Sequence, residues 1–279
     1  MKRVIVHIQG GIGNQLFTYA MGYAYAKRNS CKLVLDNRDF FNGYKWPYVL
    51  NKLNITPTNE CKSLFSSLFL RGFKRLCKNL YIREKKEFFY QDVDDVKLKN
   101  VIYLDGYWQS EKYFKDFRNE ILNLYKLRNQ EYINKIKELE ILYDVENSVS
   151  VHIRRGDYVG GGRLVLDEYY DSAIKKIESL DKIKQYLVFS DDLEYVKQMK
   201  CFQGKNVTFF DSTIIHEDFV SILIMAKCKH HIITNSTFSW WAAWLDRKDS
   251  KIVIAPETEY LEKSDFYPEE WIKIKSKIR

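Results

Sequence analysis

The stretch SVHIRRGDYVGGG, Ser150–Gly162, decides the reading of the fold. Val149, Val151 and Ile153 put β-branched residues at alternating positions, which reads as a strand. The run stops at Arg154 and Arg155, and Gly156-Asp157-Tyr158 and the glycines Gly160–Gly162 follow. In parallel α/β sheets ligands gather at the carboxyl ends of strands, and the two arginines stand at such an end. Burying two guanidinium groups without counter-charge is expensive. Asp157 offers one internal partner, and an anionic ligand is the economical partner for the other arginine. The planar fork of arginine matches phosphate oxygens with parallel hydrogen bonds. The competing reading is an Arg–Asp pair that only braces the loop.

Working outward from this strand, apolar β-branched runs alternate with helical patterns. Strands are expected at Val4–Ile8, Lys32–Leu35, Val101–Leu104, Val149–Ile153, Tyr186–Phe189, Val207–Phe210, His231–Thr234 and, as the last, Ile252–Ile254. Helices are expected at Asn14–Arg28, across residues 110–142 as two charged segments, at Asp167–Leu180 with Asp167 as N-cap, after the SDD of Ser190–Asp192, at Asp218–Cys228, and along NSTFSWWAAWL, Asn235–Leu245. Such alternation predicts parallel sheets covered by helices. The charged stretch between about residues 125 and 148 has few apolar anchors. The chain is split there into residues 1–140, the expected acceptor side, and residues 141–279, the expected donor side, with a last helix packing back on the first half.

The bulk numbers fit this picture. The chain has 279 residues, 46% hydrophobic and 15% aromatic, which suits one large domain or two of ordinary size. No apolar run approaches the ~20 residues of a membrane span. The N-terminus reads as a first strand rather than a signal peptide, so a cytoplasmic protein is expected. The five cysteines are scattered without a Cys-x-x-Cys pair, which suits free thiols better than disulfides or zinc. A net charge of +8 favours anionic partners: nucleotides, nucleic acid or anionic lipid. One segment, residues 63–86, is amphipathic with a basic face (Arg71, Lys74, Arg75, Lys78). It reads either as a core helix with a solvated side or as a peripheral contact with an anionic membrane at the inner face of the cell.

Three constellations carry chemistry. In HIQGGIGNQLF, His7–Phe17, a strand meets a glycine turn and a helix, so Gly11, Gly13 and Asn14 are candidates for close approach to a phosphate or sugar. The second is the arginine pair, with His152, Arg154, Arg155 and Asp157. In the third, Asn235, Ser236, Thr237 and Phe238 stand where a strand meets a helix, a place where free N–H groups favour an anion. Trp240, Trp241 and Trp244 read as core anchors. His230 and His231 are expected to face opposite sides of a sheet without a metal. Asp191 reads as a helix cap, and the pair Asp94-Asp95 as a charged loop.

Taken in order, G-G-x-G-N-Q-L-F, H-x-R-R-G-D-Y, F-S-D-D and N-S-T-F-S-W-W-A-A-W-L resemble the motifs of the α-1,2-fucosyltransferases, the family of bacterial O-antigen and vertebrate H-antigen enzymes. The resemblance implies a GT-B-type architecture of two Rossmann-like domains facing a cleft. It implies GDP-fucose as donor, a β-galactoside acceptor that is lipid-linked in some settings, inversion at the sugar, and neither cofactor, metal nor nucleic acid. It assigns Arg154 to the diphosphate, Arg155 to its support, His152 to the nucleoside, and Asp157 to the ribose or the reacting centre, where it is the candidate base. Gly11–Asn14 would border diphosphate and fucose, and Asn235–Phe238 would complete the phosphate pocket. Related sequences carry an acid seven positions before the Cys-x-His of Cys228–His230, where this chain has Ser221. Asp218, beside Glu217, is the candidate replacement for the guanine contact. A different donor or linkage on the same fold, and a non-catalytic nucleotide- or glycan-binding protein, are the alternatives.

Overall fold

In a computed structural model of the chain, the described residues are 2–41, 43–55, 81–93, 101–211 and 217–279. Residues 63–80 of the basic amphipathic segment, and Asp94-Asp95, lie outside them. The chain packs as two compact units, Met1–Arg128 and Asn129–Arg279.

The first unit is built on a parallel sheet of β1 (Arg3–His7), β2 (Lys32–Asp36), β3 (Tyr81–Arg83) and β4 (Val101–Asp105), in the order β2-β1-β4-β3. Val4, Val6, Leu33, Leu35, Ile102 and Leu104 are buried, as strands covered on both faces require. Helix α1 (Ile12–Arg28) starts two residues earlier than the sequence pattern suggests, with Gly11 as N-cap and Lys27 and Arg28 in its last turn, where they oppose the helix dipole. The charged segment beyond residue 110 opens with 3-10 turns at Glu111–Tyr113 and Lys115–Phe117 before the short α2 (Arg118–Leu124).

Among its described residues the second unit holds six parallel strands: β5 (Ser148–Ile153), β6 (Gln185–Ser190), β7 (Val207–Phe209), β8 (His230–Ile232), β9 (Val253–Glu257) and β10 (Ile272–Lys275). The order β10-β9-β8-β5-β6-β7 is the doubly wound order of a dinucleotide-type fold, with its reversal point between β5 and β8. The expected last strand is therefore not the last. The C-terminal segment, expected to be a helix, adds β10 in parallel to β9. Its IKIK pattern half-buries each isoleucine, as an edge strand does.

Helices α3 (Gln130–Leu142), α4 (Asp167–Glu178), α5 (Leu193–Val196), α6 (Asp218–Met225) and α7 (Thr237–Leu245) complete the unit. Helix α3 packs on α6. Two caps differ from expectation. Leu166, not Asp167, precedes α4, and Asp167 instead accepts a 2.9 Å hydrogen bond from the Tyr195 hydroxyl. Asp192, not Asp191, caps α5 by accepting from the Tyr195 backbone N–H.

The tryptophans of α7 anchor it as expected. Trp240, Trp241 and Trp244 are buried, and Trp240 Nε1 donates to the Phe266 carbonyl at 2.7 Å. The adjacent histidines face opposite ways and each meets a carboxylate. His230 Nε2 lies 2.7 Å from Asp181, and His231 bridges Ser150 (2.8 Å) and Asp246 (2.9 Å) inside the core. Cys31, Cys201 and Cys228 are free thiols.

Candidate functional site

Strand β5 delivers its arginines to the carboxyl end of the sheet, beside the reversal point. Across that point the chain leaves β8 through Thr234 and Asn235 and enters α7, whose N-cap is Ser236. Two of the three candidate constellations are thus brought to one end of one sheet. The third, Gly11–Asn14, belongs to the first unit.

Neither arginine lacks counter-charge, which corrects the expectation that only Asp157 was available. Arg154 Nε and Nη2 donate to Asp157 Oδ1 at 3.0 and 2.8 Å, and its Nη1 lies 2.9 Å from Asp191 Oδ2. Arg155 Nε donates to Asp192 Oδ2 at 2.9 Å, its backbone N–H donates to Asp191 Oδ1 at 2.8 Å, and its guanidinium lies over the Tyr195 ring, 3.2 Å from the centroid. The Tyr195 hydroxyl is held by Asp167 in turn. The Arg155 contact lowers the pKa of Asp192, with its cap bond to Tyr195 adding to the effect. Glycine at 156 is what lets Asp191 in: a Cβ there would stand 2.6 Å from Asp191 Oδ2. The F-S-D-D motif therefore orients the arginines as well as capping α5. Sequence reading missed that role because the pairing spans more than thirty residues.

Around this clamp the polar groups are ordered by the fold. Asn235 Nδ2 donates to the Arg163 carbonyl (2.9 Å) and the Tyr260 hydroxyl (2.6 Å), and its Oδ1 accepts from Thr234. Ser236 Oγ accepts from the Phe238 N–H at 3.3 Å and is hydrogen-bonded to Tyr158. Burial pushes the Tyr158 pKa up. Arg154 lies 5.8 Å from the Tyr158 ring centroid, so the clamp and the start of α7 share one lining. Tyr158 and Tyr260 are lining residues the sequence did not single out.

His152 is buried against Phe238, ring centroids 5.2 Å apart, and its Nδ1 is a buried polar atom without a hydrogen-bond partner. Burial, reinforced by the nearby Arg154 charge, lowers its pKa to about 3. The native state thus refuses a proton that the unfolded chain accepts below pH ~6.5. Stability is lost as pH falls through that window. By linkage, wild type should lose about 2 kcal/mol from this group between pH 7 and pH 5. Urea unfolding of wild type and His152→Gln at both pH values checks this: the wild type should lose that much more than the variant, and parallel losses would refute it.

Asp218 opens α6 and is exposed, while Glu217 accepts from the Tyr132 hydroxyl at 3.1 Å. In the first unit, Gly10 adopts φ +77°, a left-handed conformation suited to glycine, and its N–H donates to Tyr44. Asn14 Oδ1 accepts from Gln109 Nε2 at 2.8 Å, and Gly13 is buried in α1. Trp108 of the first unit is core: it is wholly buried, with its backbone N–H held by Glu84. No helix among the described residues is long and apolar enough to cross a membrane.

A six-stranded doubly wound unit accompanied by a second parallel-sheet unit is the make-up of a GT-B-type fold, and solved structures share it. NodZ, an α-1,6-fucosyltransferase from Bradyrhizobium soaked with GDP-fucose, superposes with a TM-score of 0.55 at 20% identity, covering 88% of this chain and 92% of its own. Over residues 6–275 the sequence matches glycosyl transferase family 11, and the chain belongs to that family. It is 33% identical to an α-1,2-colitosyltransferase of Escherichia coli, covering 98% of this chain and 99% of the relative. It is 31% identical to the O-antigen biosynthesis glycosyltransferase WbnK of Escherichia coli, covering 96% and 99%.

Proposed function

We propose that the protein transfers L-fucose from GDP-fucose to the 2-hydroxyl of a β-galactoside, with inversion and without a metal ion, in the assembly of a surface polysaccharide. The observation that carries this reading is the clamp of Arg154 at the end of β5, framed by the N-terminus of α7. In the displacement, the acceptor oxygen bonds to the sugar's anomeric carbon on the face opposite the nucleotide. The bond from that carbon to the phosphate oxygen breaks, and its electron pair stays on the departing diphosphate. Negative charge therefore grows where Arg154 and the α7 amides stand, and fixed donors aimed at developing charge lower the barrier.

The carboxylates refine Arg154's task. A guanidinium carries five N–H donors, more than Asp157 and Asp191 use, so it meets a phosphate while still held in orientation. Asp157 has a more exposed side chain than Asp191 and spends Oδ1 on Arg154. In this reading it is a brace for the clamp. His152 and Phe238 would line the nucleoside end.

The reading is tested by thermal shift with GDP, UDP and ADP, followed by transfer assays with GDP-fucose. Saturating GDP should stabilise the protein by about 3 kcal/mol at a hundredfold excess over Kd, with no comparable effect from UDP or ADP. Equal stabilisation by all three would sink the assignment of a guanine nucleotide. The 33% identity to an α-1,2-colitosyltransferase favours one second reading, in which the sugar moved is colitose. Direct competition between the two donor sugars decides between them.

A further inference from the structure

The clamp at the end of β5 is not electropositive. Arg154 and Arg155 bring two positive charges, and Asp157, Asp191 and Asp192 meet them with three carboxylates. His152 adds no charge, because burial holds its pKa at about 3. A guanidinium can share its donors with a phosphate, but an assembly with excess negative charge does not attract a multiply charged diphosphate. The N-terminus of α7 supplies roughly half a positive charge, which leaves the balance negative. Within the second unit the site needs a further cation.

Arg163 meets that need. It follows Gly162, whose φ of +66° turns the chain through a left-handed conformation that suits glycine. Its carbonyl accepts from Asn235 Nδ2 at 2.9 Å, one residue before the N-cap of α7. The same amide donates to the Tyr260 hydroxyl at 2.6 Å. Leu164, next along, exchanges both backbone hydrogen bonds with Arg279, at 3.2 and 3.0 Å, so the backbone under the arginine is fixed. Arg163 is exposed, and among the described residues no carboxylate pairs with it, unlike Arg154 and Arg155. Burial raises the pKa of the Tyr158 and Tyr260 hydroxyls, and the Arg163 charge acts against that rise at both. The guanidinium thus stands beside two residues of the lining, and one of them, Tyr158, is hydrogen-bonded to Ser236. All of these residues belong to the second unit.

We propose that Arg163 binds the phosphates of the nucleotide beside the α7 amides and supplies the positive charge that draws them to this end of the sheet. This rests on the transferase reading above, which places a nucleotide diphosphate there. The charges divide the work between the arginines. Arg154, with Asp157 and Asp191 on its nitrogens, meets a phosphate as an oriented donor whose charge is largely cancelled. Arg163, with no carboxylate partner, contributes its charge whole. With it counted, three cations face three carboxylates, and the α7 dipole tips the site positive. An arginine that served only as a solvated rim would make the affinity for a phosphate-free ligand and a phosphorylated one respond alike to its removal.

Calorimetric titration of wild type, Arg163→Gln, Arg163→Lys and Lys176→Gln with GDP and with guanosine tests this. Lys176 is exposed in the last turn of α4, at the end of the sheet opposite the site, so its variant removes an equal charge from elsewhere. Arg163→Gln should weaken GDP binding by at least about fivefold and leave guanosine within about twofold. Arg163→Lys keeps the charge without the planar fork and should lose less than Arg163→Gln. Lys176→Gln should bind both ligands within about twofold of wild type. A GDP loss below about fivefold in Arg163→Gln overturns the assignment, as does an equal loss for guanosine. Should Arg163→Gln not fold, the wild type decides by its response to salt. Its GDP affinity should fall as KCl rises, and an affinity that stays flat or climbs overturns the proposal, since the site without Arg163 repels anions. Wild type that binds no GDP fails the transferase reading itself, an outcome distinct from wild type and Arg163→Gln binding GDP equally.

Discussion

Arg154→Ala should leave a folded protein that binds GDP weakly and transfers sugar at least about 10³-fold more slowly. The physical basis is the charge that develops on the departing diphosphate. Removing one neutral donor from such a site costs about 10²–10³ in rate, and an oriented guanidinium carries a full charge as well as several donors. The fold should survive because the side chain is not core. It is 29% exposed, and its partners Asp157 and Asp191 are accessible to water once it is gone. Their release from the salt bridges should change stability by no more than about 1 kcal/mol. Arg154→Lys should recover only part of the rate, since an ammonium cannot span Asp157, Asp191 and a phosphate with one planar fork. Initial rates with GDP-fucose, beside urea unfolding of each variant, check this. Turnover in Arg154→Ala within tenfold of wild type would remove the clamp from the account (a factor worth about 1.4 kcal/mol).

The largest stability effect should come from Trp240→Ala. Trp240 is fully buried, lies 6.1 Å from Trp244 and 5.5 Å from Trp271 between ring centroids, and hydrogen-bonds the Phe266 carbonyl. Truncation leaves a cavity under α7 and removes the indole hydrogen bond to the Phe266 carbonyl, so the second unit should lose about 3–5 kcal/mol. Because α7 begins at Ser236, the same loss should loosen the Asn235–Phe238 end of the site and weaken GDP binding even where the protein stays folded. Trp240→Phe keeps the ring contacts and loses the hydrogen bond, and should cost about 1–2 kcal/mol. Denaturant titration followed by near-ultraviolet circular dichroism measures both. A shift below about 1 kcal/mol for Trp240→Ala would mean that the tryptophan cluster does not anchor the helix.

Much of the second unit's architecture was legible in the sequence because its signals are local. The alternation of Val149, Val151 and Ile153 defines β5, and the arginines that end it mark the carboxyl edge. The Asn-Ser-Thr run followed by Trp-Trp-Ala-Ala-Trp defines a capped, buried helix. Long-range facts were not legible. Nothing local reveals that Asp191 and Asp192 fold back onto the arginines, and both had a sufficient local explanation as caps. The strand β10 did leave a trace in its alternating Ile and Lys, but four residues at an edge carry little weight against a helical reading. Strand β3, Tyr81–Arg83, is too short for any periodicity. His7 read as a residue of the strand expected at Val4–Ile8, opening the glycine-turn stretch, and no partner for it was legible. Its pairing with Asp105 exists only because β4 lies beside β1, and that adjacency is a property of the topology.

The central claim is that the end of β5 holds a guanine nucleotide sugar for transfer. Mass-detected reaction of the wild-type protein with GDP-fucose and a panel of β-galactosides tests it most directly. The expected result is a galactoside carrying one fucose on its 2-hydroxyl, formed together with GDP. Folded protein that yields neither a fucosylated product nor free GDP from GDP-fucose would contradict it.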